Sequence, residues 1–276
     1  MRVQATTAEI TEAERSRPFR VLVRVGFLAR GLTYGVIGAL AIALACGAGT
    51  AGTQPDQQGA LALVAGAPLG FVAIIVIAVG MLAYAVWKLT QAIRGRGPEG
   101  GGDPGLASRV ANAGAGIGYL LFCAVAVRIL AGSGTGNSNG SAKHAAAGIL
   151  GWPAGRFLVG AVGVTLVAAC AYQAYYAFTE RFTREAKTEE MSVDERRIYC
   201  AAGKVGLISR ALVFALCGYF LAETAITYDP STAVGVDGAL ARLHHQTLGP
   251  WVLGLVGVGL LVFAAFSLYD ARYRRL

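Results

Sequence analysis

The chain has 276 residues, of which 55% are hydrophobic and only 14% charged, with a formal net charge of +8. A soluble domain carries about 25% charged residues, so a mean hydropathy of +0.55 together with apolar runs of about 20 residues excludes an ordinary water-soluble globule. The basic residues gather between the apolar runs rather than on one reading face, which excludes nucleic acid as a partner and makes the lipid bilayer the expected environment.

Residues 1–24 read as a polar cytoplasmic lead-in, with Arg2, Arg15, Arg17, Arg20 and Arg24 set against Glu9, Glu12 and Glu14. A first membrane helix is expected over about 25–47. It opens on Gly26-x-x-x-Arg30-x-x-x-Tyr34-x-x-x-Gly38. The run is long for a secretion signal and recurs inside the chain, so a retained helix is expected. A Gly-rich stretch and a short apolar piece lead to a second helix at about 68–93, carrying Gly80-x-x-x-Tyr84-x-x-Trp87. Residues 25–93 thus form a first two-helix unit. The Gly/Pro-rich linker 94–109 follows, a flexible spacer and no phosphate loop, since it has no preceding strand and no GKS or GKT.

A second unit, 110–178, has helices at about 110–132 and 155–178, joined by the small, polar loop 132–142. The charged cytoplasmic segment 179–204 comes next and is expected to be partly helical. The third unit, 205–271, has helices at about 205–227 and 250–271 and is followed by the basic tail 272–276. It repeats the first signature as Gly206-x-x-x-Arg210-x-x-x-Phe214-x-x-x-Gly218, and the second as Gly259-x-x-x-Phe263-x-x-Phe266. The middle unit is a weaker echo, with Ala111, Ala115, Tyr119 and Cys123 in the first set of positions. Glycines and aromatics recurring at a constant offset are the mark of an internal repeat. The glycines read as helix-packing positions.

Segments 1–24, 94–109, 179–204 and 272–276 hold 17 of the 24 Lys and Arg, whereas the opposite loops hold only Lys143, Arg156 and Arg242. The positive-inside rule therefore places both termini in the cytoplasm. The expected fold is all-α, six transmembrane helices arranged as three parallel two-helix repeats about a pseudo-threefold axis.

The two signatures, together with Asp56-Gln-Gln-Gly-Ala-Leu61, resemble a bacterial six-helix membrane family catalogued as domain of unknown function 1206. The middle repeat departs from that pattern at 115 and 123. The resemblance implies the topology and a bacterial plasma-membrane location; it implies no activity.

Intramembrane ionisable residues are where function is sought first, because they are costly in lipid. Arg128 and Glu223 occupy one repeat position, filled by Ala43 in the first unit; two readings stand for them, an ion pair near the outer leaflet or separate snorkelling to the outer interface. Arg30 and Arg210 share another position, with Tyr34 and Phe214 one turn on. Two readings stand for them: an inner-leaflet anion site, or snorkelling to phosphate headgroups. Lys88 beside Trp87 reads as an interfacial anchor and lipid contact. Asp56 and Asp237 are expected to cap short outer helices.

His144, His244 and His245 fall at non-equivalent positions, and the five cysteines form no CxxC pair, so no metal or cofactor is expected. No HExxH or intramembrane carboxylate pair occurs. The reading is a non-catalytic membrane protein, either a scaffold that meets a protein partner through 179–204, or a small transporter or pore along the pseudo-axis.

Overall fold

The computed structural model describes residues 17–48, 53, 55–66, 68, 70–94, 106–132 and 138–275. Residues 1–16 of the lead-in, residues 95–105 of the linker and residues 133–137 lie outside the described residues. The six long helices are α1 (Arg17–Ala45), α3 (Gly70–Arg94), α4 (Leu106–Leu130), α6 (Gly155–Phe178), α7 (Val193–Thr227) and α9 (Gly249–Tyr273). Each contains a span long and apolar enough to cross a membrane. Three short helices, α2 (Gln57–Ala65), α5 (Ser138–Leu150) and α8 (Val236–His244), each precede the second long helix of a repeat. The protein is thus a multi-pass, all-α membrane protein of three parallel two-helix repeats.

Helix ends follow local chemistry. Asp56 caps α2, its carboxylate accepting the Gly59 N–H at 2.6 Å. Asp237 does not cap α8: Gly235 holds the N-cap position and Asp237 lies in the first turn. α7 starts on a capping box, Ser192 bonding the Glu195 N–H and Glu195 reaching back to the Ser192 N–H. That signal sits twelve residues upstream of the apolar run, so α7 begins in the segment 179–204, well before the expected position 205. α1 likewise begins at Arg17 rather than 25. The loop expected over 132–142 is instead helical from Ser138, as the first residue of α5.

Packing follows a single order around the bundle. α1 packs against α9 and α3, α7 against α6 and α9, and α4 against α3. α4 and α6, the two helices of the middle repeat, do not pack along their lengths. The ring α4–α3–α1–α9–α7–α6 is therefore open at one seam.

Close approach explains where the ring closes. A Cβ on Gly26 would lie 2.6 Å from the Gly80 carbonyl oxygen, and one on Gly206 would lie 2.6 Å from the Phe263 Cα. These glycines let the two helices within a repeat meet backbone to backbone. In the middle repeat the matching positions are Ala111 and Thr165, and there the helices stay apart. Between repeats the contact is made in all three units. Gly38 faces Gly257, Gly218 faces Gly163, and the Cys123 thiol donates to the Ala78 carbonyl at 3.6 Å. Cys123 thus substitutes for the glycine that the pattern lacks there.

Candidate functional site

The polar centre of the bundle lies a few turns inside its basic end. On α1, Arg30 is buried among the rings of Phe27, Tyr84 and Phe263. Its Nη2 donates to Asp270 Oδ2 at 3.0 Å, Nε to Ser267 Oγ at 3.1 Å and Nη1 to the Tyr84 hydroxyl at 3.1 Å. Asp270 also accepts the Tyr199 hydroxyl at 3.0 Å and Arg274 Nη1 at 3.4 Å. Arg30 therefore faces the interior and does not snorkel, because a full set of acceptors awaits it there.

Arg210 on α7 takes the second position. Its Nε donates to the Tyr34 hydroxyl at 3.1 Å and Nη1 to Gln173 Oε1 at 3.3 Å. Its guanidinium lies over the rings of Tyr34, Phe214 and Phe263. Gln173 is fixed in turn by donating to the Leu207 carbonyl at 2.8 Å.

The third position is Ala115, yet the pattern does not stop there. Lys88 on α3 donates to Asn112 of α4 at 3.1 Å and to Gln91 at 3.3 Å, over the rings of Trp87 and Tyr84. Lys88, Gln173 and Ser267 are equivalent positions of the three repeats. Each inter-repeat interface consequently holds one cation: Arg30 at α1/α9, Arg210 at α7/α6 and Lys88 at α3/α4. At the third interface the charge has moved from the first helix of a repeat to the second.

The three cations are not equally compensated. Arg30 has Asp270. Among the described residues, neither Arg210 nor Lys88 forms an ion pair.

Several expectations are corrected. Arg128 and Glu223 form no ion pair: Arg128 is exposed, Glu223 is half-buried, and their helices α4 and α7 are not neighbours. Sharing a repeat position places two residues at one depth, not in contact. Trp87 is no interfacial anchor; it is buried against Phe27 and Tyr84, and Lys88 points between α3 and α4 rather than out to lipid. Tyr34 edges onto Phe263, and Phe266 stacks on Tyr199.

The segment 179–204 closes the basic end. Phe182 is fully buried against Tyr199 and Phe266. The C-terminal tail is stapled to it by an Ala186–Arg274 bridge, by Arg274 with Glu185, and by Arg275 with Glu189 at 2.9 Å. Asp270, Tyr199 and the staple were missed from sequence because they sit at helix ends, where charge is unremarkable. The signal was Gln91, a polar residue at the position equivalent to Asp270.

The uncharacterized protein YxxB of Bacillus subtilis (strain 168) is 30% identical over 253 residues, covering 92% of this chain and 90% of its own. No solved structure matches the chain. The model of one family matches three times, over residues 25–95, 110–180 and 205–274, one match per repeat. The chain belongs to that family, described as Domain of Unknown Function (DUF1206).

Proposed function

We propose that the protein is a non-catalytic scaffold or interaction protein of the bacterial plasma membrane, with both termini in the cytoplasm. The observation that carries this reading is the tied-off basic end: Phe182 fills the space beneath Tyr199 and Phe266, and the tail is stapled across it. An interior closed by the chain itself suits a fixed platform better than a pathway along the pseudo-axis. The basic residues at that end support a cytoplasmic placement. There the exposed face of 179–204, with Arg196 and Arg197 beside Val193 and Ile198, offers a basic and apolar surface to a protein partner.

The second reading, a small transporter or pore, has in its favour the two cations Arg210 and Lys88, which form no ion pair among the described residues. Reconstitution into sealed vesicles separates the two. The scaffold predicts no anion flux above protein-free vesicles; flux that disappears in Arg210→Gln overturns it. Orientation is checked with variants that keep one cysteine each. Cys46, exposed at the far end of α1, should react with an impermeant maleimide on intact cells, and Cys200 only after permeabilisation. The reverse pattern overturns the assigned orientation.

A further inference from the structure

We propose that the open seam between α4 and α6 holds one anionic phospholipid, its phosphate against Lys88 and Arg210 and an acyl chain between the two helices. Three observations converge on it. The first is charge. Of the three interface cations, the two without an ion pair among the described residues are those at the interfaces flanking the seam, since Lys88 bonds Asn112 of α4 and Arg210 bonds Gln173 of α6. Arg30, on the closed side, is compensated by Asp270. The excess charge is thus placed beside the gap, where an anion would neutralise it.

The second observation is space. In the first repeat Ala29 is buried against Ile74, Ile77, Ala78 and Met81 of α3. Its counterpart on α4 is Gly114, and the next turn carries Gly118; a Cβ on either would meet nothing within 4 Å. Across the seam, Val162 and Thr165 of α6 are exposed, whereas their counterparts Ile77 and Gly80 are buried. The third is the medium. α4 and α6 are membrane spans, so the molecules that reach an apolar gap between them are lipids. The site goes beyond the scaffold reading, because a bound lipid needs no flux and flux needs no bound lipid.

The test uses the full chain in nanodiscs of phosphatidylcholine, alone or with phosphatidylglycerol, and counts lipids retained by native mass spectrometry. Each Lys or Arg near a lipid surface contributes about fivefold in affinity, so two cations predict roughly thirtyfold enrichment of phosphatidylglycerol over phosphatidylcholine. Lys88→Gln/Arg210→Gln should lose that enrichment. Gly118→Leu, which fills the gap and leaves both cations in place, should lose it too while keeping the melting temperature measured in phosphatidylcholine. Arg128→Gln, exposed in the last turn of α4, should retain it. Equal retention of the two lipids by the wild type overturns the proposal, as does unchanged enrichment in Gly118→Leu. In phosphatidylcholine discs, inorganic phosphate is the remaining arm: stabilisation by phosphate equal to that by phosphatidylglycerol assigns the cations to a free anion and overturns the lipid site. If the double glutamine variant does not fold, Gly118→Leu and the phosphate arm still decide.

Discussion

Removing the carboxylate of Asp270 perturbs the centre of the bundle most directly. Asp270→Ala deletes, in one step, the acceptor of Arg30, Tyr199 and Arg274. Asp270 is 1% exposed and Arg30 is 6% exposed, so water cannot replace what is lost. Stripping one partner from a buried ion pair costs about 3–5 kcal/mol, because the other charge is left uncompensated. A hydrogen bond to a charged group is worth about 1.5–3 kcal/mol, although the Tyr199 bond shares its acceptor with the pair, so the two losses do not add in full. Asp270→Ala should therefore lose at least about 4 kcal/mol. Arg30→Met/Asp270→Leu removes both charges and fills similar volume, and such replacements are near neutral or stabilising. It should recover most of that loss, with Arg274 still held by Glu185. Reversible unfolding in a bilayer-like medium measures all three proteins. If Asp270→Ala falls within about 1 kcal/mol of the wild type, the range of an ordinary substitution, or if the double variant is no more stable than Asp270→Ala, the buried pair does not organise the centre.

Helix approach predicts an asymmetric glycine response. Gly206→Ala drives a methyl into the Phe263 backbone and should cost about 1–3 kcal/mol, whereas Gly114→Ala meets open space and should be neutral or stabilising by up to about 1 kcal/mol; denaturation midpoints compare the two. Arg128→Glu and Glu223→Arg should show no coupling in a double-mutant cycle, since the two side chains do not meet; a favourable interaction in the swapped protein would refute that placement. At the far end, the Ser231 hydroxyl and N–H donate to Asp229 at 2.6 and 2.8 Å, and these bonds hold its carboxyl below the ordinary aspartate value. The folded value is depressed, so the contribution is complete above about pH 4, the unfolded range, and is lost as the pH falls through the lowered folded value. The melting temperature of the wild type should thus drop more steeply below pH 4 than that of Asp229→Asn; parallel curves would remove the carboxylate from the turn.

Much of the architecture was legible because a repeat writes its constraints three times. Gly26 and Gly206, or Gly80 and Gly259, are recognisable as equivalents from their spacing alone, and lipid forces each apolar run to be a helix. Partner choice was not legible. Periodicity gives Arg128 and Glu223 one repeat position, but the neighbour of a face depends on the order of helices around the ring. Arg30 lies against Ser267 and Asp270, from the last helix of the chain, because the closest packing is between repeats rather than within them. Ser192 and Glu195 carry the S-x-x-E spacing of the α7 capping box, a signal the reading of the charged segment did not use.

The middle repeat shows why its divergence is more than drift. Ala111 and Thr165 replace the glycines that join the two helices of a repeat, and those helices separate. Ala115 replaces the arginine of the signature, and Lys88 supplies the cation from the opposite helix of the same interface. With both changes, three cations persist at one depth while the carboxylate that offsets one of them sits on the closed side. The asymmetry lies in the charge balance and the packing together, and both point to the same gap.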